Sequence, residues 1–333
     1  MTYSGTGATR SITGLGFSPD FTWIKERNNA VSHRLFDSVR GATKRMFSNN
    51  TDAESTQSNS LTSFDSDGFS LGDSGSVNGG SDTYVAWNWR ASDSNAVSNT
   101  NGSITSTVSA NTTAGFSIVT YTGTGSVATV GHGLGKAPRV VIVKRRDTSG
   151  FFWVVQHASI FDASDTVLGL DLSSGSFNQG GGNYNGTSAG SSVFTLGSGG
   201  NTNQSSGTYI AYCFAEIEGY SKFGSYTGNG STDGAFVYTG FRPELVIAKK
   251  YSAGENWSMA DSARSPHNVS QAGLSPSTSS AEDTTNGVRI DLLSNGFKPR
   301  DTAGQFNDNG ASYIYMAFGH TFVDSNGNPN TGR

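Results

Sequence analysis

Two four-residue runs hold the side chains best suited to shared chemistry. Asp37-Ser38-Val39-Arg40 recurs as Asp261-Ser262-Ala263-Arg264, each aspartate standing twelve residues after a lysine, Lys25 or Lys249. A carboxylate, a hydroxyl and a guanidinium so close together could serve a nucleophile or hold an anion. A serine nucleophile needs a base at a fixed place, however, and no histidine recurs beside either run. The spacing therefore favours a structural ion pair or a turn, with Lys25 and Lys249 as the expected partners of the aspartates across neighbouring strands. Nothing marks a carboxylate pair of the kind that hydrolyses glycosides, and no catalytic residue is assigned.

Other candidates have plainer readings. The five histidines (His33, His132, His157, His267 and His320) form no HxH, HExxH or i, i+4 pair, so no metal site is expected. Asp65-Ser66-Asp67-Gly68 has carboxylates two apart, as in calcium loops, but the matching Leu293-Ser294-Asn295-Gly296 keeps only the Asp/Asn-Gly turn of a hairpin. The single cysteine, Cys213, excludes an internal disulfide framework and stands where related segments carry Asn88 and Ala317. Gly123-Thr124-Gly125 and Gly180-Gly181-Gly182 lack the lysine and the following helix of a phosphate loop. No cofactor is expected.

Composition sets the elements that must position these residues. Only 14% of the 333 residues are charged, against about 25% in an ordinary globular chain. Ser, Thr, Asn and Gly fill the deficit and disfavour long helices. Aromatics reach 11%, which with β-branched residues between Gly-rich turns points to strands. The net charge of −4 gives no footprint for nucleic acid. No apolar run approaches the ~20 residues of a membrane span. No charged segment followed by an apolar one opens the sequence, so no signal peptide is expected.

The strongest signal is internal repetition. Tyr3-Ser4-Gly5-Thr6-Gly7 returns as Tyr121-Thr122-Gly123-Thr124-Gly125 and as Tyr226-Thr227-Gly228-Asn229-Gly230. After each comes a proline (Pro19, Pro138, Pro243) and, six residues later, a lysine (Lys25, Lys144, Lys249). Phe69, Phe194 and Phe297 precede Tyr84, Tyr209 and Tyr313 by 15, 15 and 16 residues. These landmarks divide the chain into copies at 1–90, 116–216 and 224–321. A Ser/Thr/Asn-rich linker at 91–115, with an edge strand possible over Ile104–Val108, a short linker at 217–223 and a polar tail at 322–333 complete it. The first copy lacks a counterpart of Phe116–Thr120, so either that module is incomplete or the chain is part of a longer polypeptide.

Val140 to Val143 is apolar throughout, as for a strand covered on both faces. Closing segments alternate: Val85, Trp87 and Trp89 match Ile210, Tyr212 and Phe214, and Ile314, Met316 and Phe318. The expected fold is all-β, three tandem divergent sandwich or jelly-roll-like modules of about 100 residues, with those large residues deepest in the core.

Taken together, these motifs resemble a repeated module of virion structural and tail-fibre proteins of marine tailed phages, cyanophage- or pelagiphage-like. The residues that carry the likeness are Tyr121–Gly125, Gly133–Pro138, Val143–Arg146, Asp37–Ala42, Ser66–Phe69, Tyr84–Trp89 and Tyr209–Glu216. The resemblance implies a virion location, other virion proteins and further copies of the chain as partners, and no membrane insertion. It supplies no catalytic or binding residues. The function expected is a non-enzymatic appendage component presenting loops to a host-surface glycan or protein; a capsid decoration, a structural spacer and a glycan depolymerase are the alternatives. Ser173–Ser191 departs from the shared register, so Asn183 and Tyr184 are the candidate ligand-binding residues.

Overall fold

The computed structural model describes residues 1–92, 95–285 and 288–320, together with the backbone of two short strands, Phe322–Val323 and Pro329–Asn330. The rest of the polar tail predicted at 322–333 lies outside the described residues. The fold is all-β; among the described residues helix is confined to two single turns, Gly75–Asn78 and Gly200–Asn203.

Each module is a sandwich with one topology. Its large sheet orders an opening strand, a closing strand, a strand that follows the conserved proline, and a fourth strand. In the first module these are Thr2–Ser4, Thr83–Trp89, Phe21–Glu26 and Arg34–Asp37. In the second they are Phe116–Thr122, Thr208–Phe214, Val140–Arg145 and Val154–His157. The third has Ser221–Thr227, Ser312–Gly319, Pro243–Lys250 and Ser258–Asp261. Registers coincide: Trp23 pairs with Trp87, Ile142 with Tyr212 and Ile247 with Met316. A smaller sheet covers one face, as Arg10–Thr13, Gly68–Leu71 and Leu61–Asp65 do in the first module. The Asp/Asn-Gly signals form two-residue hairpins, Asp65 pairing Gly68 and Leu293 pairing Gly296. Within 91–115, strands Val97–Asn99 and Ser106–Asn111 form a hairpin that widens the second module's sheet.

The repeated Tyr-x-Gly-x-Gly has a steric cause. Tyr3, Tyr121 and Tyr226 stack on Tyr84, Tyr209 and Tyr313 at 5.1, 5.1 and 5.0 Å between centroids. The chain then passes so close to the turn before the closing strand that a Cβ on Gly5, Gly123 or Gly228 would lie 2.0 to 2.4 Å from a backbone carbonyl oxygen. The second glycine has φ of +71°, +75° or +63°, a region costly for other residues. Buried Asn78, Asn203 and Asn307 lock the crossing, each accepting a backbone N–H of the motif (from Thr6, Thr124 and Asn229).

Successive residues of a strand face opposite ways, and both faces of each large sheet are buried. Tyr84 and Ala86 point into their own sandwich, whereas Val85, Trp87 and Trp89 point away from it. The apolar run after Pro138 shows the same division: Val141 and Val143 face the second module's interior, Val140 and Ile142 the other side. These outer faces meet in one core shared by all three modules. Phe21 packs on Tyr212 with centroids 4.4 Å apart, Trp89 on Phe318 at 5.6 Å and Phe214 on Phe318 at 5.6 Å. The large residues of the closing strands are buried as expected, but in the shared core and not at the centre of each sandwich. The cavity left there is about 20 Å³, far too small for a ligand.

Candidate functional site

The modules grip one another at three seams, and the two recurrent Asp/Arg runs lie at two of them. After its fourth strand each module sends out an arm: residues 47–54 of the first reach the second, 169–176 of the second reach the third, and 275–282 of the third return to the first. At every seam a ring N–H donates to an arm carbonyl: Trp153 Nε1 to Phe47, Trp257 Nε1 to Gly169, both at 2.8 Å, and His33 Nε2 to Ser275 at 2.9 Å. Trp23 Nε1 donates to His33 Nδ1 at 2.8 Å, so the proton of His33 sits on Nε2. Burial holds that imidazole well below its ordinary pKa, hence neutral. A heterologous contact made three times with one direction closes a ring.

Asp37 and Arg40 form a buried ion pair at the first seam. Tyr212 of the second module donates its hydroxyl to Asp37 Oδ2 at 2.8 Å. Arg40 also reaches Glu54 at 3.2 Å, and Glu54 binds Arg146 of the second module at 2.9 Å. The third module's grip on the first repeats this set. Asp261 pairs with Arg264 at 2.6 Å, Trp87 Nε1 donates to Asp261 at 3.2 Å, and Glu282 bridges Arg264 (3.0 Å) and Arg27 (2.7 Å). At the remaining seam the equivalent positions hold His157, Ile160, Ser176, Tyr251 and Met316. His157 bonds the Tyr315 carbonyl at 3.2 Å, and burial pushes its pKa down to about 4, so it too is neutral.

The lysines do not pair with the aspartates. Lys25 and Asp37 sit at opposite ends of their strand pair, where Asp37 lies beside Phe21. Lys25, Lys144 and Lys249 are fully buried and donate to backbone carbonyls: Glu26 and Asn29 for the first, Arg145 at 2.9 Å for the second, Lys250 at 3.0 Å and Ser173 at 3.1 Å for the third. Burial lowers each ammonium to about 8.

Asn183 and Tyr184 are likewise not on the surface. Tyr184 is fully buried in the second sandwich, its hydroxyl 3.1 Å from the Val141 and Val154 carbonyls. The amides of Asn183 and Tyr184 both donate to Asp165, at 2.6 and 2.9 Å. A stretch so rich in small polar residues is expected to project, yet its tyrosine is an anchor that fills the core. Neither side chain is exposed in this fold. That this is the large aromatic between Gly180 and Ser192 was the available signal.

The other candidates are occupied structurally. Asp67 accepts the Gly14 amide at 3.0 Å beside the hairpin, and burial pushes the Cys213 thiol up to about 12. Among the described residues no three His, Cys, Asp or Glu side chains converge on a metal position. Among the described residues the large aromatic side chains that face solvent are Phe236 and Tyr238, 48% and 63% exposed on either side of buried Val237 at the edge of the third module's small sheet. Sequence reasoning passed over this pair because it lies outside the repeated landmarks.

A family pattern of unknown function, Domain of unknown function (DUF7483), matches residues 1–321. The chain belongs to the DUF7483 family. The match covers all three modules in one span and not one sandwich alone. Comparison with curated proteins and with solved structures gave no match.

Proposed function

We propose that the chain is a non-enzymatic component of a bacteriophage virion appendage, a rigid body that contacts a host-surface glycan or protein. The observation that carries this reading is the use made of the reactive residue types. The recurrent Asp and Arg side chains, which would have to be accessible for catalysis, are buried and bonded in the seams that close the ring, and the recurrent lysines are buried against backbone carbonyls. A body closed in this way suits load-bearing and display, and the motif resemblance to marine-phage virion modules supports the location. Phe236 and Tyr238 offer two neighbouring aromatic surfaces, of the kind on which a sugar ring or an apolar side chain packs. The test is Phe236→Ala with Tyr238→Ala, measured on arrays of host glycans and in adsorption assays. Loss of binding with an unchanged melting temperature is expected; unchanged binding would remove this patch and favour a decoration or spacer role.

A further inference from the structure

The outer faces of the three small sheets follow one register and carry different side chains. The first strand of each is Arg10–Thr13, Ala128–Gly131 or Val237–Tyr238. Its inward residue pairs with a buried phenylalanine: Ile12 with Phe69, Val130 with Phe194 and Val237 with Phe297. The residues on either side then point outward. Phe236 and Tyr238 therefore stand where the first module has Ser11 and Thr13, and the second Thr129 and Gly131. In the sister modules these positions serve the chain itself. Ser11 and Ser70 share a hydrogen bond of 2.9 Å, Ser70 donates to Asp65 at 2.7 Å, and the Thr129 hydroxyl accepts the Ser103 amide at 2.9 Å. The fold asks for small groups here, and the two exposed rings of the third module are an addition to it.

Both rings lean over glycine backbone. A Cβ on Gly296 would stand 2.9 Å from the Phe236 ring, and one on Gly240 would stand 3.8 Å from the Tyr238 ring. The rest of each ring stays open to solvent. Beside them runs a closed set of charges. Lys298, pointing outward from the neighbouring strand Gly296–Pro299, pairs with Asp233 at 2.7 Å. Arg300 reaches Asp233 at 3.1 Å and Asp291 at 3.2 Å. Ser70 and Thr195 hold the place of Lys298 in the sister modules. Arg289, on the far strand, turns to the Thr285 carbonyl at 3.3 Å. Two carboxylates and two cations thus balance one another next to the rings, alternating acceptors and donors. A hexose offers the matching surface. Its C–H groups form an apolar side that packs on an aromatic ring, and the hydroxyls around its rim both donate and accept.

We infer that this face is a glycan site whose ligand is an uncharged, hydroxyl-rich chain, its sugars lying on Phe236 and Tyr238 and its hydroxyls bonding Asp233, Lys298 and Arg300. The inference rests on the reading of this patch as the contact surface and narrows the partner to carbohydrate. Rings two residues apart on one strand are about 7 Å from each other, close enough for successive sugars of one chain to cover both. An acidic glycan finds no free cation beside the rings, because Lys298 and Arg300 are already committed to carboxylates, and the exposed Asp233 repels it. A purely apolar partner would cover the ion pairs without replacing the water they lose. Sugar hydroxyls replace that water bond for bond.

The test titrates the full chain by calorimetry with three neutral probes, maltohexaose, laminarihexaose and mannohexaose, and with the hexasaccharide of polygalacturonate as their acidic counterpart. Saturable binding of at least one neutral hexasaccharide is expected, with weaker binding of the acidic one, and the melting temperature should climb with the concentration of the sugar that binds. Phe236→Ser, Tyr238→Thr and Lys298→Ser together install the first module's face, and should abolish binding while the melting temperature of the free chain stays near the parent's. Tyr238→Phe keeps the ring and should hold affinity within about twofold, whereas Tyr238→Ala should weaken binding about tenfold. Asp233→Ala removes an acceptor and should weaken it about fivefold. No saturable binding of any neutral hexasaccharide up to millimolar concentration would overturn the inference, and so would tighter binding of the acidic one. These outcomes separate from those of the patch reading. Adsorption lost in Phe236→Ala with Tyr238→Ala, while no hexasaccharide binds, would leave the patch standing as a protein contact and remove only its glycan. Adsorption unchanged in that variant, while a hexasaccharide binds the parent at this face, would do the reverse.

Discussion

The first and second modules are joined through buried ions, and the second and third through neutral atoms, although one topology builds both seams. What differs is the partner each fourth strand meets. Asp37 faces a tyrosine hydroxyl and Asp261 an indole N–H, so each carboxylate gains a donor from across the seam in addition to its arginine. The equivalent of Tyr212 and Trp87 in the third module is Met316, whose thioether donates nothing. A carboxylate there would be buried short of a donor, and an uncompensated buried charge is among the costliest defects in a core. His157 and Ile160 stand in its place, with Ser176 and Tyr251 where Glu54 and Arg146 would be. Five positions from two modules thus change together. A buried ion pair is viable as a whole set or not at all.

That comparison predicts unequal costs. Arg40→Ala leaves Asp37 buried without its countercharge, held by the residue-40 amide and the Tyr212 hydroxyl, and should destabilise the chain by about 3–5 kcal/mol, as removing one member of a buried pair does. Arg40→Ala with Asp37→Ala should cost less than the sum of the singles, a coupling that a double-mutant cycle in urea measures. Trp89→Ala, in the shared core, should cost a comparable ~3–5 kcal/mol. Because that core belongs to all three modules, calorimetry should show one transition for the described body. Two well-separated transitions would mean that the modules unfold independently and that the seams contribute little.

The neutral seam should announce itself in acid. His157 titrates near 4 in the folded chain and near 6.5 when unfolded. A folded-state pKa depressed in this way means that the unfolded chain binds the proton first. The stabilisation is complete above about pH 6.5 and is lost as pH falls towards 4, by up to roughly 3 kcal/mol. His157→Gln, which can still donate to the Tyr315 carbonyl, should flatten the stability profile in that window relative to the parent. Equal slopes for the two proteins would show that His157 is protonated in the fold.

A subtler contrast rests on one hydroxyl. Tyr212→Phe removes a donor from Asp37 and should cost about 1–3 kcal/mol. Met316→Leu conserves volume at the matching position and should cost less than about 1.5 kcal/mol. Chemical denaturation of the two variants resolves the difference; the reverse order would mean that the seams are interchangeable.

Much of the module was legible in the sequence because it depends on near neighbours. The Tyr-x-Gly-x-Gly spacing reflects a close backbone crossing, the Asp/Asn-Gly steps mark two-residue turns, and alternation along Thr83–Trp89 predicts a strand with two distinct faces. The asparagines of the crossing were also within reach, since Asn78, Asn203 and Asn307 each stand six residues before the closing tyrosine. Periodicity could not say what each face meets. The pattern large-small-large is the same whether the large side packs inside a sandwich or against another module. The Lys25–Asp37 pairing failed for a related reason: equal spacing along the chain fixes a repeat, but the strand register separates the two ends. Arms such as 47–54 and 275–282 carry no period, so the seams they make emerge only once the ring is closed.

The smallest expected effect is the most informative. Moving the whole neutral set into the first seam means Asp37→His, Arg40→Ile, Glu54→Ser, Arg146→Tyr and Tyr212→Met together. Each of Arg40→Ile and Tyr212→Met alone should destabilise, because each strands a buried charge or acceptor. The complete exchange restores the arrangement that already closes the second seam, and replacing a buried ionic cluster by apolar groups of similar volume is often neutral or stabilising by 1–4 kcal/mol. Its stability should therefore return to within about 1 kcal/mol of the parent, or exceed it, while the chain acquires one more buried, acid-sensitive histidine, at position 37. Urea midpoints at pH 7.5 and pH 5 separate the two effects. Costs that simply add across the five substitutions would mean that the ionic seam is held by individual contacts, and that the coordinated change between modules has another origin.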